Sequence, residues 1–315
     1  MNALSLIPAP FFGDMADGPE GGAAYWLTAE DGVRIRAAVW PKGVAGTVLL
    51  FPGRTEYAEK YGRAAADLQS RGFATVAIDW RGQGLADRAL PDRMVGHVES
   101  FAEYQTDVQA VLRLLAQLDL PQPLYLMAHS MGGCIGLRAL MRGLPVRAAA
   151  FSAPMWGIAM AAWRRPMADI VTQVSGWFGQ SNRFTPGTSA QSYVAEAGFG
   201  GNVLTTDPDM WMYMKSQIEA RPELALAGPS LRWLQHALAE CVALSMMPAP
   251  DVPCITWLGS SERVVDTGPV YARMSGWRGG RLELVQGAEH EIMMESPAAR
   301  ALFFDGATAL FRANP

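Results

Sequence analysis

The amino-acid sequence has little cysteine and no large excess of charge of either sign. It contains three cysteines among 315 residues, and 26 basic against 30 acidic residues give a net charge of −4. Cysteines this few and this widely spaced exclude a disulfide framework and a zinc site with paired ligands, and they predict buried thiols in a reducing compartment. The basic residues are scattered and form no stripe that could neutralise a phosphate backbone, so we do not expect nucleic acid as a partner.

Long apolar runs and a secretion signal are also lacking. The N-terminal residues carry no cationic stretch, and Pro8 and Pro10 interrupt them before the apolar core of a signal peptide could form. The longest uncharged apolar stretch, 148–163, contains Ser152 and Pro154 and is shorter than the ~20 residues that a membrane span needs. We therefore expect no transmembrane helix, and a protein that is cytoplasmic or peripheral to the inner face of the membrane.

Short apolar runs alternate with helical patterns in the first half of the chain. After an irregular start over 8–22, a β-hairpin is predicted over 24–40 around the turn Glu30-Asp31-Gly32. The apolar runs are 47–51, 74–79, 123–128 and 148–152, and the helical patterns are 57–71, 101–118 and 132–143. Nearly continuous apolar runs are typical of strands covered on both faces, and their alternation with helices predicts a parallel sheet with crossover helices.

The alternation stops over 155–247 and then resumes with strands over 254–258 and 282–285, each followed by a helix. The sequence therefore predicts an α/β fold with a mostly parallel sheet flanked by helices and an inserted helical cap. The predicted boundaries are 1–154 for the first part of the core, 155–247 for the cap and 248–315 for the second part of the core.

A serine stands between a predicted buried strand and a predicted helix. The strand residues P-L-Y-L-M-A run into H-S-M-G-G, which places Ser130 in a sharp turn between Ala128 and Gly132. Small residues at these two places allow so sharp a turn, and a serine there exposes its hydroxyl above the sheet. A serine can also simply cap the helix that follows. The strand-turn-helix context and the partners described next favour a catalytic nucleophile.

A serine nucleophile needs a base that takes its proton. After such a strand-serine-helix turn the acid and then the histidine follow the serine along the chain, which excludes His97 and His129. His236 lies in a helical pattern of the predicted cap, where we expect it at a helix surface. His290 follows the last predicted strand, at a sheet edge where loops carry catalysts, and we predict that it is the base.

Two carboxylates compete for the acid that orients the histidine. Glu262 lies three residues beyond Gly259, which ends the preceding strand, and its side chain can still point back over the sheet edge. Asp266 lies further on and can instead cap the helix that begins near Gly268. We predict Glu262 as the acid and keep Asp266 as the alternative.

The tetrahedral intermediate of acyl transfer also needs two backbone N–H donors. Met131, the residue after the serine, supplies the first. The second is predicted in the run F-P-G-R-T-E, where Gly53 lets the backbone turn inward and the N–H of Arg54 is the donor.

Five motifs in chain order resemble the α/β-hydrolase superfamily: F-P-G-R-T-E, I-D-W-R-G-Q-G-L-A-D-R, L-M-A-H-S-M-G-G, W-L-G-S-S-E-R-V-V-D and G-A-E-H-E-I. Within it, the chain is most similar to the lysophospholipase and monoacylglycerol lipase branch. The resemblance covers nearly the whole chain outside the predicted cap, which takes the position of that branch's cap. It implies that Ser130 is the nucleophile, His290 the base, and Arg54 and Met131 the oxyanion donors.

The sequence departs from the branch's usual pattern at three places. Glu262 stands where the branch usually has Asp, Pro52 where a His-Gly pair is usual, and Gln83 where His is common. The change to Glu bears on the acid, whereas the other two leave the mechanism intact. Asp79 and Arg81, in the second motif, are expected to fix their loop structurally.

The resemblance implies a serine hydrolase that cleaves a carboxylic ester through an acyl-enzyme, with no metal or organic cofactor. Lysophospholipid or monoacylglycerol is the leading substrate class, so the expected partner is a lipophilic small-molecule ester, with peripheral membrane contact. One alternative is a small-molecule esterase or amidase without lipid preference. Another is a non-catalytic relative that binds a hydrophobic ligand or partner through the insertion, which labelling by a fluorophosphonate would distinguish.

The predicted cap begins with an apolar stretch that we expect over the mouth of the site. Its first nine residues, M-W-G-I-A-M-A-A-W, carry no charge and closely follow the strand that ends at Ser152. Met adapts to varied apolar shapes and Trp tolerates an interface, which suits an acyl-chain channel, a membrane contact or simple core packing of a cap helix. The side chains predicted to bind substrate are Met155, Trp156, Trp163, Met210, Trp211 and Met214.

Overall fold

A nine-stranded sheet runs through the part of the chain that the computed structural model describes, residues 6–160, 179–188 and 190–315. Its strands are β1 (Ile7–Ala9), β2 (Ala23–Thr28), β3 (Arg34–Trp40), β4 (Thr47–Phe51), β5 (Ala74–Asp79), β6 (Leu124–His129), β7 (Ala149–Ser152), β8 (Cys254–Gly259) and β9 (Arg281–Val285). They lie in the order β1-β2-β3-β5-β4-β6-β7-β8-β9. Pairing is antiparallel from β1 to β5 and parallel from β5 to β9.

The central strands are apolar because both faces of the sheet are covered. Every residue of β4, β5, β6, β7 and β8 is buried. This burial on both sides explains why these strands show continuous apolar runs rather than alternation. The predicted hairpin corresponds to β2 and β3, and the predicted fold class, a mostly parallel sheet flanked by helices, is confirmed.

Helices connect the strands and cover the sheet. The described α-helices are α1 (Gly13–Ala16), α2 (Gly62–Ser70), α3 (Glu103–Leu115), α4 (Met131–Met141), α5 (Tyr193–Glu196), α6 (Pro208–Ala220), α7 (Leu231–Ser245), α8 (Thr267–Ser275) and α9 (Pro297–Arg312). None of them combines the length and the apolar character that crossing a bilayer requires.

The start of the chain is more regular than the sequence predicts. Within the stretch expected to be irregular, Pro8 lies in β1 and a short helix, α1, follows. Strand β1 pairs only with β2 and so forms an edge of the sheet. Because an edge strand leaves half of its N–H groups unpaired, a proline is tolerated there. The prolines in this stretch are the reason why the sequence did not predict a strand.

The segment between β7 and β8 contributes three described helices to the molecule. Asp207 accepts a hydrogen bond from the N–H of Met210 at the start of α6, and Ser230 accepts one from Trp233 at the start of α7, so both helices begin at side-chain caps. Helix α7 packs against α4, the helix that follows Ser130. Residues 161–178 and 189 lie outside the described part of the chain.

Candidate active site

The nucleophile candidate lies on a strained turn between β6 and α4. Ser130 has φ 48° and ψ −119°, a left-handed conformation that costs a non-glycine residue on the order of 1–3 kcal/mol. Its carbonyl oxygen accepts hydrogen bonds from the N–H groups of Gly133 (2.8 Å) and Met155 (2.9 Å), and its own N–H donates to Ser152 (3.1 Å). These bonds hold the residue in a conformation that it would not adopt alone.

The glycine two residues after the serine is required by the packing of the turn. A Cβ atom on Gly132 would lie 2.1 Å from the carbonyl oxygen of Phe51 and 2.5 Å from that of Pro52. A Cβ on Gly133 would lie 2.5 Å from the Cβ of Pro154. Helix α4 therefore starts in direct contact with the end of β4 and the residue that follows it.

A histidine and a glutamate from two other loops form a close pair. Nδ1 of His290, in the loop after β9, lies 2.7 Å from Oε2 of Glu262, in the loop after β8, and both side chains are buried. The other oxygen of Glu262 accepts hydrogen bonds from the N–H groups of Val264 (2.6 Å) and Val265 (3.1 Å). The carboxylate is thus fixed at both oxygens, and Ser130 and His290 line one cavity.

The environment of Glu262 favours its ionised form. Burial alone would raise the pKa of this carboxyl, but the hydrogen bond and charge of His290, together with the N–H groups of Val264 and Val265, hold the pKa below its usual value. An ionised acceptor at Nδ1 keeps the proton of a neutral imidazole on Nδ1, which leaves Nε2 free to act as a base.

The alternative acid is engaged elsewhere. Oδ1 of Asp266 accepts a hydrogen bond from the N–H of Gly268 (3.0 Å) and caps the start of α8. Its own N–H donates to the carbonyl of Gly157 (3.1 Å). The structure therefore brings Glu262, and not Asp266, to His290.

Three consecutive backbone N–H groups in the loop after β4, those of Gly53, Arg54 and Thr55, differ in their partners. The N–H of Gly53 donates to Glu56, and that of Thr55 donates to Oε1 of Gln83 (3.2 Å). Across residues 6–160, 179–188 and 190–315, no acceptor pairs with the N–H of Arg54. Met131 is the first residue of α4, where a helical N–H has no intrahelical acceptor.

The side chain of Gln83 stabilises this loop through hydrogen bonds. Its Oε1 accepts the hydrogen bond from the N–H of Thr55, and its Nε2 donates one to the carbonyl of Gly53 (2.9 Å). Asp79 and Arg81 hold the adjoining loop: Asp79 binds Arg36 and the N–H groups of Ala58 and Leu85, and Arg81 forms ion pairs with three carboxylates.

A buried ionic cluster behind the histidine was not predicted from the sequence. Nζ of Lys60 lies 2.5 Å from Oε1 of Glu56 and 2.7 Å from Oε2 of Glu291, and Nε2 of His129 lies 3.4 Å from Glu291. The rings of His129 and His290 are 4.7 Å apart between centroids. The only sequence signal was the four-residue spacing of Glu56 and Lys60, because His129, at the end of β6, and Glu291, after β9, are distant in the chain.

The charged groups of this cluster shift the pKa values of His129 and Glu291 in opposite directions. Burial would lower the pKa of His129, but Glu291 and Glu56 raise it above its usual value. Burial would raise the pKa of Glu291, but Lys60 and His129 hold it well below its usual value. Glu56, His129 and Glu291 have the donor types of a metal site, but the ammonium group of Lys60 already forms an ion pair with each of the two carboxylates.

A cavity of about 680 Å³ opens over Ser130 and His290. Met155 and Met214 line it, as predicted for substrate-binding residues, and so do Leu204, Ile218 and Leu226. Its walls come from the core loops and from α5, α6 and α7, and its size falls within the range typical of small-molecule sites.

Three other side chains predicted to bind substrate are packed away from this cavity. Trp156 stacks on Trp277 at 6.1 Å between ring centroids, and its indole N–H donates to Gly133 (3.1 Å). Met210 and Trp211, which belong to α6, are buried in the core. Trp156, Met210 and Trp211 therefore pack in the core, which is the alternative that the apolar pattern also allowed. Trp163 lies outside the described residues.

The fold defines an α/β hydrolase. The model of one protein family, described as serine aminopeptidase S33, matches residues 42–297, and the chain belongs to this family. It is 32% identical over 266 residues to lysophospholipase L2 of Escherichia coli K12, with 81% of this chain and 77% of that protein covered. It is 26% identical to the probable lysophospholipase L2 of Haemophilus influenzae, with 80% and 79% covered.

A solved structure of monoglyceride lipase from Saccharomyces cerevisiae superposes with a TM-score of 0.71 at 19% identity, covering 92% of this chain and 96% of that one. At this identity the likeness shows the shared fold. The family and its relatives make the chain a serine ester hydrolase of the type to which lysophospholipases and monoacylglycerol lipases belong. The predicted family and reaction class are therefore confirmed.

Proposed function

We propose that the protein hydrolyses single-chain lipid esters, lysophospholipid or monoacylglycerol, with Ser130, His290 and Glu262 as its catalytic triad. The observation that carries the proposal is the pair of His290 and Glu262, 2.7 Å apart, together with the cavity that His290 and the strained Ser130 both line. We further propose the region 155–247 as a cap inserted into the core, because its described helices form part of the wall of that cavity.

The reaction follows from the positions of these groups. His290 takes the proton of the Ser130 hydroxyl as its oxygen attacks the ester carbonyl carbon, and Glu262 stabilises the resulting imidazolium. The N–H groups of Arg54 and Met131 bind the oxyanion of the tetrahedral intermediate. The C–O bond to the leaving alcohol then breaks as His290 returns the proton to it. Water, activated by His290, attacks the acyl-enzyme in the same way and releases the fatty acid.

The free N–H of Arg54 supports its assignment as an oxyanion donor. The N–H groups on either side, those of Gly53 and Thr55, are engaged within the protein, so Arg54 is the one of these three residues whose N–H has no acceptor among the described residues. A donor that is held in place by a rigid loop needs no reorganisation when charge develops on the substrate oxygen, which is the source of this kind of stabilisation.

The lining of the cavity favours an acyl chain as ligand. Apolar side chains from the cap helices and the core, Met155, Leu204, Met214 and Ile218 among them, surround the space over the serine. Each methylene that moves from water into such a lining contributes ~0.8 kcal/mol, so affinity should rise with chain length. The names of the relatives, lysophospholipase L2 and monoglyceride lipase, agree with a lipid that carries a single acyl chain.

We also propose that the protein is cytoplasmic and meets its substrate through peripheral contact with a membrane. Tyr193, on α5, has 42% of its surface exposed and also lines the cavity, and the nearby Phe199 is 39% exposed. Exposed aromatic side chains beside a cavity are suited to a lipid-water interface.

A substrate panel tests the proposed function. The purified protein is given esters of one alcohol with increasing acyl length, lysophospholipids and monoacylglycerols of matched chain, a diacyl phospholipid and an amide analogue. We expect kcat/KM to rise with chain length and the single-chain lipids to be preferred. A flat chain-length profile would instead favour a small-molecule esterase, and preference for the amide would favour an amidase. Lack of turnover and of fluorophosphonate labelling would favour a non-catalytic binding protein.

A further inference from the structure

The side chain of Arg54 also lies at the site, in a position that the reaction above does not use. Arg54 lines the cavity together with Ser130 and His290, and its guanidinium contacts Ala227 and Trp233, which line the same cavity. Nη1 donates a hydrogen bond to the carbonyl of Ala227 (2.7 Å), and the group lies over the ring of Trp233, 5.7 Å from its centre. Both contacts come from the proposed cap, so the cation is held between core and cap.

Within the described part of the chain, no carboxylate lies within ion-pair distance of this guanidinium. The acidic groups that share the cavity wall, Glu56 and Glu291, are bound to Lys60. Glu196, the other carboxylate on the wall, is exposed. By contrast, the buried Arg36 forms ion pairs with both Glu59 and Asp79.

A cation in such a position is normally compensated. Burial lowers the pKa of Arg54 to about 10, so the side chain still carries its charge at neutral pH. An unpaired charge held in a poorly solvated place costs free energy, which an anionic ligand recovers on binding. The guanidinium has five N–H donors and only one of the described residues, Ala227, accepts from it.

The two substrate types of the proposed function differ in the group that could meet this cation. A lysophospholipid carries a phosphate diester on the same glycerol as its acyl ester, whereas a monoacylglycerol carries an uncharged hydroxyl there. A guanidinium binds phosphate oxygens with paired, charge-assisted hydrogen bonds. Because the backbone N–H of Arg54 is proposed to bind the ester oxyanion, its side chain starts next to the reacting carbonyl and can reach a group on the adjoining glycerol.

We propose that the guanidinium of Arg54 binds the phosphate of a lysophospholipid, so that the site prefers a phosphate-bearing single-chain lipid over the corresponding monoacylglycerol. The inference rests on the proposed function and selects between the two substrates that it leaves open. Its chemistry is recognition only, with no additional covalent step.

The test compares Arg54→Gln and Arg54→Lys with the wild type on 1-acyl lysophosphatidylethanolamine and on 1-monoacylglycerol of the same chain. Both variants keep the backbone N–H. Arg183→Gln is the control, because it removes one exposed positive charge close in the chain to Thr185, which lines the cavity. The measured quantity is the ratio of kcat/KM for the lysophospholipid to kcat/KM for the monoacylglycerol.

We expect this ratio to fall about 10- to 100-fold in Arg54→Gln, the loss typical of hydrogen bonds to a charged group, mainly through KM. Arg54→Lys should retain part of the preference as a point charge, and Arg183→Gln should keep the wild-type ratio. An unchanged ratio in Arg54→Gln, or a wild type that prefers monoacylglycerol, would overturn the inference while leaving the proposed function intact. A wild type that cleaves neither lipid would overturn the proposed function itself.

Competition provides a measurement that does not depend on the folding of the variants. With a short soluble ester as substrate, glycerol 3-phosphate should inhibit the wild type competitively, and glycerol at the same concentration should not. High salt should weaken this inhibition because it screens the charge. Equal effects of glycerol and glycerol 3-phosphate on the wild type would contradict phosphate recognition.

Discussion

Replacing Glu262 by glutamine tests how the histidine is oriented. The two side chains have nearly the same shape, and the variant loses one charge and replaces one oxygen by an NH₂ group. In the wild type, Oε1 accepts from the N–H groups of Val264 and Val265, while Oε2 accepts from Nδ1 of His290. The amide oxygen of the glutamine is needed by the two valine N–H groups, so its NH₂ group must face His290.

This arrangement sets the size of the effect. An NH₂ group facing Nδ1 favours the imidazole tautomer that has its proton on Nε2, and that tautomer cannot accept the proton of Ser130. The imidazolium formed during attack also loses its counter-charge. A wrong tautomer of this kind costs on the order of 10²- to 10⁴-fold in kcat. Binding of the ester is not affected by either change, so KM should move little.

The assay is steady-state hydrolysis of a short soluble ester by the wild type, Glu262→Gln and Asp266→Asn, with thermal unfolding as a check of folding. Asp266→Asn is the matched control because asparagine also caps helices well, so it should retain nearly full kcat and a similar Tm. The reverse ranking of the two variants in kcat would assign the acid to Asp266 instead of Glu262.

Three further predictions concern stability. Gly132→Ala should prevent folding or abolish activity, because its Cβ would lie 2.1 Å from the carbonyl oxygen of Phe51. The control Gly198→Ala should be tolerated, because a Cβ there would have no atom within 4 Å. Circular dichroism and Tm measurements check both variants. Lys60→Met leaves two buried carboxylates without their cation and should cost ~3–5 kcal/mol in urea unfolding, and a loss below about 1 kcal/mol would contradict it. The lowered pKa of Glu262 stabilises the fold above the ordinary glutamate pKa of about 4.3, and this contribution is lost as the pH falls through the lower folded pKa. The Tm difference between wild type and Glu262→Gln should therefore hold from neutral pH to about pH 5 and shrink on further acidification, and a difference that grows would contradict it.

The parallel sheet and the strand-turn-helix context of Ser130 could be predicted because their signals are local. Apolar runs of strand length mark buried strands, and the small residues beside the serine mark the sharp turn that the structure contains. The position of Glu262 just after β8 likewise followed from where a short loop can point, and the structure has its carboxylate at His290.

Features that depend on distant parts of the chain were not predictable in this way. The cluster joins Glu56 and Lys60, in the segment after β4, to His129 at the end of β6 and to Glu291 after β9, and no pattern along the sequence connects these three segments. The side chains of α6 show the same limit, because Met214 lines the cavity while Trp211, three residues before it, is packed in the core. Composition identifies both as apolar, and only the packing of the helix decides which of them is open to a ligand.

The most direct test of the central claim is the site of covalent labelling by a fluorophosphonate, located by mass spectrometry of the digested protein. We expect a single adduct on Ser130 and none in Ser130→Ala, with kcat of that variant reduced on the order of 10⁴- to 10⁶-fold. An adduct on another residue, or a Ser130→Ala variant that folds and still turns over ester at a rate close to that of the wild type, would contradict it.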